Sequence, residues 1–301
     1  MTRVVVLGGT GFVGRHLWDH FAATPGIRPV FIAHRRRPDW AGPVFVDCPL
    51  DDVAALRGHF AAADAVVTLL RPDGSGDRLR DMQRIIGILA KIPPRRVIHA
   101  SSIAVHEGSG ASVVTEDTPP EPATDYAREH VAIEESLAAV EDSIVLRLGA
   151  VFGDGGVNLV KFAEEARTGS LARLAARRCG YGERRMHLVS VETVVAGIAH
   201  LAVAAPDGPG LLLVTDDDDP RNAFGFVQDT LLEAFGRPRL AALPSLPPAV
   251  LEAVLLRVGR AGGPVRRRYA TLFPEALSAV RVDFGNALSR YARLLAGSSG
   301  R

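Results

Sequence analysis

A glycine-rich segment near the amino terminus has the spacing of a phosphate-binding turn. The sequence GGTGFVG, residues 8–14, follows the apolar run at 4–7 and precedes an amphipathic helix. Glycines allow a tight strand-to-helix turn and a close approach of the backbone to a pyrophosphate, while the helix start offers free N–H groups and partial positive charge. We therefore expect a dinucleotide to contact this turn through Gly8, Gly11, Phe12, Val13 and Gly14.

A basic segment after the second apolar run bears on the choice of cofactor. In a site specific for NAD, an Asp or Glu at this place binds the ribose 2′-hydroxyl. This chain has instead the basic segment His34, Arg35, Arg36 and Arg37. An arginine there favours a 2′-phosphate, because a guanidinium forms strong hydrogen bonds with phosphate. We expect NADP, used as NADPH, in preference to NAD, with Arg35 as the first phosphate ligand and Arg36 as the second. A solvent-exposed basic turn is the alternative.

The sequence resembles the extended short-chain dehydrogenase/reductase family, which includes NAD-dependent epimerases and dehydratases. The resemblance rests on the glycines of residues 8–14, on paired serines at 101–102 after the fifth predicted strand, and on a tyrosine at the start of the next helix. It continues in LRLGAVFG at 146–153 and in MHLVSVETV at 186–194, so that it covers about 3–238.

This resemblance implies roles for individual residues. It implies that Ser102 is the catalytic serine and that Tyr126 is the tyrosine of the family's Tyr-x-x-x-Lys motif, with His130 in place of the lysine. It also implies that Asp47, at the end of the third predicted strand, contacts the adenine, and that Leu70, at the end of the fourth, contacts the cofactor. No metal site is expected, because the histidines and cysteines lack metal-ligand spacing.

The histidine is the main departure from the family's motif. Tyr126 and His130 are four residues apart and share one face of a helix, so the imidazole can lie beside the phenol. The family's lysine binds the nicotinamide ribose and activates the tyrosine, whereas a histidine is half protonated or less near neutral pH on its reference pKa of about 6.5. Three outcomes stay open: His130 binds the ribose and relays protons, the substrate supplies the proton path, or redox chemistry has been lost.

These residues require a framework of alternating strands and helices. Short apolar runs predict strands at 4–7, 29–33, 43–46, 65–70, 96–100 and 143–148. Apolar residues at three- and four-residue spacing predict helices at 12–23, 51–61, 77–90 and 126–140. Such alternation is typical of βαβ units. We therefore expect an α/β fold, a Rossmann-type doubly wound parallel sheet with a smaller C-terminal substrate lobe.

The regular alternation loosens beyond residue 150. We expect an NAD(P)-binding Rossmann domain over 1–150 and an interleaved substrate-binding lobe over 151–301. In the second part the pattern predicts helices at 157–168, 191–203 and 222–235 and a strand at 211–214. The segment 243–268 is rich in Pro, Gly and Arg around one apolar helix at 249–258, and it is either a lid over the site or a surface hairpin unrelated to it.

Composition and charge narrow the class of protein. The chain has 301 residues, of which 47% are hydrophobic and 23% charged, with a formal net charge of +1. This balance creates no field that would recruit nucleic acid or an anionic membrane, so we expect neither as a partner. We expect no signal peptide, no membrane helix, since no apolar run reaches the roughly 20 residues that one needs, and no disulfide. We expect a cytoplasmic protein with a small-molecule substrate, and a homodimer through helices 77–90 and 126–140 is one option.

Three functions compete on these grounds. The favoured one is an NADPH-dependent reductase of a ketone on a small metabolite, such as a secondary metabolite, in which Ser102 and Tyr126 hydrogen-bond the carbonyl oxygen while nicotinamide delivers hydride. The second is a nucleotide-sugar epimerase or dehydratase that holds NAD tightly, which the missing lysine and the fourth-strand ending LLRP at 69–72 oppose. The third is a non-catalytic NADP-binding sensor or regulatory protein, supported only by His130.

Overall fold

The computed structural model describes residues 1–34, 37–40, 42, 44–204, 209–240, 243–244, 246–247, 250 and 267–298. Within them the strands are β1 (Thr2–Leu7), β2 (Ile27–Ala33), β3 (Phe45–Asp47), β4 (Ala65–Thr68), β5 (Arg96–Ser102), β6 (Val113–Val114), β7 (Ser143–Leu148), β8 (Ala150–Phe152), β9 (Leu188–Ser190), β10 (Leu211–Val214) and β11 (Arg268–Tyr269). The α-helices are α1 (Phe12–Ala22), α2 (Val53–Ala61), α3 (Asp77–Leu89), α4 (Asp125–Leu137), α5 (Val160–Thr168), α6 (Leu171–Tyr181), α7 (Val191–Val203), α8 (Phe224–Ala234) and α9 (Phe284–Ser298).

A seven-stranded parallel sheet forms the centre of the molecule. Its strand order is β3-β2-β1-β4-β5-β7-β10, and every neighbouring pair runs parallel. The order reverses between β1 and β4, which is the doubly wound arrangement. The predicted Rossmann-type fold is therefore confirmed. In sheets of this kind ligands bind beyond the carboxyl ends of the strands next to the reversal, here after Leu7 and Thr68.

The first strand is buried on both faces of the sheet. Val4 and Val6 face one apolar core, which includes side chains of α1 and α7. Val5 and Leu7 face a second core, which includes side chains of α2, α3 and α4. A parallel strand covered on both sides reads as a continuous apolar run, which explains the sequence of β1. Packing on both faces also fixes the position of the glycine turn that follows.

The chain after residue 150 is divided between the main sheet and a separate core. Strand β10 joins the main sheet beside β7, while β8 pairs with β9 and β6 pairs with β11. The separate core lies among α5, α8 and α9. In it, Phe152 packs against Phe284 and Tyr291 of α9, with ring centroids 5.8 and 5.9 Å apart. This core supports one side of the cavity described below.

Several elements differ from the sequence-based expectation. Helices α6 and α9 and the short strands β6, β8, β9 and β11 were not predicted. The helix predicted at 249–258 and most of the lid segment 243–268 fall outside the described residues. Among the helices that are described, none combines the length and apolar character needed to cross a bilayer.

Candidate active site

A cavity of about 660 Å³ lies at the carboxyl ends of the central strands. It extends from the glycine turn after β1, past the ends of β4 and β5 and the start of α4, to the turn before β9. Its size suits a small-molecule or cofactor site. The lining includes Gly8, Gly11, Phe12, Val13, Gly14, Leu69, Arg71, Ser101, Ser102, Tyr126, His130, Arg184, His187 and Tyr269.

The glycine turn is packed so closely that side chains would not fit at Gly8, Gly9 or Gly14. Gly8 has a φ of +78°, and a Cβ there would lie 2.8 Å from the carbonyl carbon of Leu69. A Cβ on Gly14 would overlap the backbone of Gly9, so α1 packs directly on the turn. Gly11 is the N-cap of α1 and provides no side-chain cap, which leaves N–H groups of the first helical turn for a ligand. The turn therefore fits a pyrophosphate.

In the basic segment after β2, Arg37 forms a hydrogen bond and an ion pair within the protein. Arg35 and Arg36, the predicted phosphate ligands, lie outside the described residues. Arg37 donates to the carbonyl oxygen of Phe45 at 2.7 Å, and its Nη2 lies 3.3 Å from Oδ2 of Asp47. Asp47 is exposed at the end of β3 and is not part of the cavity lining, and its predicted contact with adenine stays a prediction.

The end of β4 presents Leu69, and not Leu70, to the cavity. Leu70 is buried in the core shared with α2 and α3. Leu69 lines the cavity and contacts the glycine turn. Successive side chains of an extended backbone point to opposite sides. Leu69 is therefore the side chain of this pair that lines the cavity, and the cofactor contact of Leu70 stays a prediction.

The two serines at the end of β5 have different environments. Ser101 is buried, and its Oγ donates to Oε1 of Glu134 at 2.5 Å and lies 3.3 Å from Nδ1 of His130. Ser102 is half-buried, and its Oγ accepts the N–H of Ala104 at 3.2 Å. Because that bond uses Ser102 as an acceptor, its hydroxyl hydrogen can still be donated to a ligand. The hydroxyl of Ser101 is thus used in bonds to α4, whereas the hydroxyl hydrogen of Ser102 is available to a ligand.

Arg71 places a positive charge beside Tyr126. Its guanidinium carbon lies 5.2 Å from the centroid of the phenol ring, within cation–π range. The loop that carries it is tied to α4 by Glu129, whose carboxylate accepts the N–H groups of Gly74 at 2.9 Å and Gly76 at 2.6 Å. Arg71 also lines the cavity. Arg71 was not selected as a site residue from sequence, because no local pattern links residue 71 with α4.

His130 lies beside Tyr126 as predicted, but it carries no charge near neutral pH. Its ring meets the phenol edge-on, with centroids 4.7 Å apart and planes at 85°. The side chain is 1% exposed, and burial, together with the positive charge of Arg71, lowers the pKa of His130 to about 4. The partial positive charge expected from the reference pKa is therefore absent. Within the described part of the chain, His130 Nε2 has no hydrogen-bond partner.

A buried ion pair and two neutral histidines fix α4 against the sheet. Arg147 donates to Oε2 of Glu134 from Nη2 at 2.7 Å and from Nε at 3.1 Å. Nη1 of Arg147 lies 3.0 Å from Nε2 of His106, and burial with the charge of Arg147 lowers the pKa of His106 to about 4. His99 lies 2.6 Å from the hydroxyl of Thr68, and its burial lowers its pKa to about 3. This arrangement holds the serines and Tyr126 in place.

The opposite wall of the cavity is built from the turn before β9 and the segment after β10. Nδ1 of His187 lies 2.6 Å from Oδ2 of Asp217, which is fully buried. The Asp217 carboxyl also accepts the N–H of Tyr269 at 2.9 Å and the side-chain amide of Asn222 at 3.1 Å. The rings of His187 and Tyr269 meet edge-on at 4.9 Å. Asp217, Asn222 and Tyr269 were not selected as site residues from sequence, since they come from separate segments.

The two arginines near this wall, Arg184 and Arg267, differ in their exposure and in their hydrogen bonds. Arg184 is exposed and lines the cavity, with its guanidinium carbon 5.9 Å from the ring of Tyr181. Arg267 is buried and donates to the carbonyl oxygens of His106, at 3.0 Å, and Ser109. Arg184 is thus the one placed to meet an anionic group. In the part of the chain that the structure describes, no group of three or more His, Cys, Asp or Glu side chains could hold a metal ion.

Comparison with known proteins matches this chain to one family. Residues 4–210 match the model of the NAD dependent epimerase/dehydratase family. The chain is 31% identical over 201 residues to a dTDP-6-deoxy-L-talose 4-dehydrogenase (NAD(P)(+)) of Kitasatospora kifunensis. That match spans 58% of this chain and 62% of the other enzyme, so somewhat less than two thirds of the relative is covered.

Solved structures share the fold along nearly the whole chain. A putative epimerase from Burkholderia cenocepacia has a TM-score of 0.71 and 19% identity, with 98% of each chain covered. A UDP-glucuronic acid 4-epimerase from Bacillus cereus, in complex with UDP-glucuronic acid and NAD, has a TM-score of 0.70 and 16% identity, covering 99% and 100%. A human epimerase family protein with NADPH has a TM-score of 0.64 and 20% identity, covering 98% and 99%. At these identities the similarity shows the fold.

Proposed function

We propose, from the premise that this chain belongs to the NAD dependent epimerase/dehydratase family, that it is an NAD(P)-dependent oxidoreductase that interconverts a ketone and a secondary alcohol on a nucleotide-linked sugar. The observation that carries the proposal is the continuity of the cavity. The phosphate-binding turn, the hydroxyl pair Ser102 and Tyr126, and the exposed Arg184 all line the same space. A cofactor and an anionic substrate can therefore meet at the two hydroxyls.

The substrate class is supported by charge and by similarity. An exposed arginine on the wall away from the glycine turn suits the diphosphate of a nucleotide sugar, since guanidinium groups bind phosphate oxygens in pairs. One relative is named as a 4-dehydrogenase of a dTDP-linked deoxysugar, and one structural neighbour binds a UDP-sugar acid. These observations favour a sugar ketone over the other small metabolites that the sequence left open.

Ser102 and Tyr126 handle the proton in the proposed reaction. When bound, the nicotinamide supplies or accepts the hydride. Ser102 donates its hydroxyl hydrogen to the substrate oxygen, because its own oxygen already accepts the N–H of Ala104. Tyr126 donates the proton that the oxygen needs on reduction and takes it back on oxidation.

Arg71 supplies the charge for which the family uses lysine. Negative charge develops on the Tyr126 oxygen as its proton leaves, and a guanidinium beside the ring stabilises that charge. His130 acts as a positioning residue, because its ring edge holds the phenol in one orientation. Since burial and the charge of Arg71 keep the pKa of His130 near 4, the imidazole adds no second positive charge.

We propose NADPH as the preferred cofactor. The support is the sequence at 34–37, where three arginines stand at the place of the carboxylate that an NAD site uses. Arg37 is engaged with Asp47 and the carbonyl of Phe45, so Arg35 is the preferred ligand of the 2′-phosphate, followed by Arg36. Arg37 also provides a matched control for Arg35.

The test is an oxidation assay with dTDP-6-deoxy-L-talose and either NADP⁺ or NAD⁺, followed by the fluorescence of the reduced cofactor. We expect the wild type to reduce NADP⁺ with a kcat/KM at least tenfold above that for NAD⁺, or about 1.4 kcal/mol. Arg35→Ala should lose this preference, and Arg37→Ala should keep it. Absence of reduction with either cofactor would contradict the proposal. NAD released on denaturation, with UDP-sugar epimerisation and no net reduction, would favour the epimerase alternative.

A further inference from the structure

We infer that His187 and Asp217 form a second acid–base group in the cavity, which moves a proton at the carbon next to the substrate ketone. The inference rests on the proposed function for its substrate class. It adds a separate activity to hydride transfer, which is exchange of the α-hydrogen of the ketone with solvent.

The hydrogen bonds of Asp217 define which nitrogen of His187 carries hydrogen. Oδ2 of Asp217 accepts the backbone N–H of Tyr269 at 2.9 Å, so this oxygen is an acceptor. Nδ1 of His187 lies 2.6 Å from the same oxygen and must therefore be the donor. The neutral imidazole then has its lone pair on Nε2. A carboxyl group in this position fixes the tautomer and the orientation of the histidine ring.

Nε2 is free to act on a ligand. Because Nδ1 is turned to the buried carboxyl, the other edge of the ring borders the cavity, and the side chain is 20% exposed. No residue that the structure describes forms a hydrogen bond with Nε2. A cavity histidine held through one nitrogen by a buried carboxyl, with the other nitrogen unpaired, is the arrangement of a general base.

The backbone holds His187 in an unfavourable conformation. Its φ is +52°, in the left-handed region that few residues other than glycine adopt. The carbonyl oxygen of His187 accepts the N–H of Ala150 at 2.8 Å, and a Cβ on Gly149 would overlap that oxygen. The pairing of β8 with β9 therefore enforces the conformation. Strain of this kind is retained mostly where the position of a side chain matters for function.

Tyr269 contacts His187 on one side and the segment that follows Ser102 on the other. Its ring lies edge-on to His187, with centroids 4.9 Å apart, and its hydroxyl donates to the carbonyl oxygen of Ile103 at 3.3 Å. Ile103 follows Ser102 directly. A ketone whose oxygen is hydrogen-bonded by Ser102 and Tyr126 thus has the His187 wall beside it, and we assign its adjacent carbon to that side.

The proposed step is balanced without any further reactant. Nε2 removes the proton from the carbon next to the carbonyl, the C–H electron pair forms the C=C bond of an enolate, and the carbonyl electron pair moves to oxygen. Ser102, Tyr126 and the charge of Arg71 stabilise the enolate oxygen. The imidazolium exchanges its proton with solvent and returns one to the same face of the carbon, which restores the ketone.

The experiment supplies the ketone directly, as the dTDP-linked 4-keto-6-deoxyhexose obtained by oxidising dTDP-6-deoxy-L-talose at C4. The protein is incubated with it in D₂O without added cofactor, and deuterium at C3 and C5 is followed by mass spectrometry against a protein-free control. Hydride transfer is measured separately with NADPH. The variants are His187→Asn and, as a surface control, His200→Asn on α7. Asparagine tolerates a positive φ, and its amide can still donate to Asp217, so His187→Asn is expected to fold.

We expect the wild type and His200→Asn to exchange deuterium well above the control. In His187→Asn exchange should fall about 100-fold or more, while hydride transfer falls much less. Wild-type hydride transfer without exchange above the control would overturn the inference and leave the proposed function standing. An equal loss of both activities in His187→Asn would also overturn it, because a residue that only shapes the cavity affects both. Exchange without hydride transfer would support the inference and contradict the proposed function.

Discussion

Two histidines line the same cavity and are held in opposite ways. His130 belongs to the tyrosine wall, which Arg71, Ser102, Tyr126 and His130 form beside β5 and α4. It is buried, it has no carboxyl partner within the described residues, and burial with the charge of Arg71 lowers its pKa to about 4. The other histidine belongs to the aspartate wall, formed by His187, Asp217 and Tyr269, and its Nδ1 is bonded to a buried carboxyl.

The surroundings of a histidine, and not its presence in a motif, decide its chemistry. An imidazole buried without a carboxyl partner stays neutral and serves to pack or to form hydrogen bonds. An imidazole oriented by a carboxyl has a defined lone pair and can take up a proton. The two walls therefore have different proposed roles: hydride transfer with proton transfer to oxygen at the tyrosine wall, and removal of the α-proton from carbon at the aspartate wall. Each can be disabled separately.

The largest effect is expected from Tyr126→Phe, which removes the proton donor of the tyrosine wall. Hydride transfer should fall about 1000-fold, since positioned acids and bases contribute about 100- to 10,000-fold. Deuterium exchange should fall less, because the proton at carbon is taken by His187. Steady-state kinetics with NADPH, beside the exchange assay, measure both. A variant that kept more than a tenth of the wild-type hydride transfer would break the division between the walls.

Two glycine variants separate an effect on folding stability from an effect on cofactor binding. Gly14→Ala places a Cβ into the backbone of Gly9 and should lower the free energy of unfolding by about 1–3 kcal/mol. Gly11→Ala meets only Gly8 O, at an ordinary 3.5 Å, so stability should change by less than about 0.5 kcal/mol. Because the methyl group would approach the phosphate, we expect NADPH affinity to fall at least tenfold, about 1.4 kcal/mol.

Thermal unfolding and cofactor titration measure these two effects. The sharper comparison is cofactor-free deuterium exchange in Gly11→Ala. The aspartate wall does not use the glycine turn, so exchange should stay near the wild-type rate. A parallel loss of NADPH binding and of exchange would show that the two walls depend on each other.

The neutral histidines should make the fold sensitive to acid. For His130 the folded pKa is about 4 and the unfolded reference is about 6.5, so the unfolded chain binds more protons between these values. Stability is therefore full above pH 6.5 and is lost as the pH falls, until the loss levels off near pH 4. At pH 5 His130 alone should cost about 2 kcal/mol relative to pH 7.5. His106 adds to the same trend.

Urea unfolding at pH 7.5 and at pH 5 measures this loss. The comparison variant is His130→Gln, which keeps a polar side chain but cannot take up a proton in this range. Its loss of stability between the two pH values should be smaller than that of the wild type by about 2 kcal/mol. Equal losses would mean that His130 is protonated in the folded protein, and the contrast with His187 would disappear.

The smallest effect is expected from Arg71, because its guanidinium is exposed to solvent. Arg71→Gln should lower hydride transfer about tenfold, or about 1.4 kcal/mol, by removing the charge beside Tyr126. Arg71→Lys should recover most of the rate, since it keeps the charge. The measurement is kcat/KM with NADPH for both variants. If the two variants were equally impaired, packing and not charge would be the contribution of Arg71.

How far the sequence predicts the site depends on whether its residues share a segment. Periodicity alone predicted β7 and β10 and helix α7 with the bounds that the structure has, and the glycine spacing predicted the turn. Arg71 and Tyr269 reach the cavity from separate segments, and Asp217 bonds to His187 without lining the cavity. No local pattern marks residues that meet only when strands and loops pack together.

Alternation of apolar runs and amphipathic segments was enough to predict the doubly wound sheet, and glycine spacing was enough to predict the turn after β1. Ser102 and Tyr126 were predicted from the family resemblance, which also rests on short local motifs. Tertiary structure alone decided that Leu69 and not Leu70 faces the cavity, that His130 is neutral, and that His187 meets Asp217. The physical reason is that burial, charge proximity and pKa depend on distances between segments. Those distances are set by how the whole chain packs.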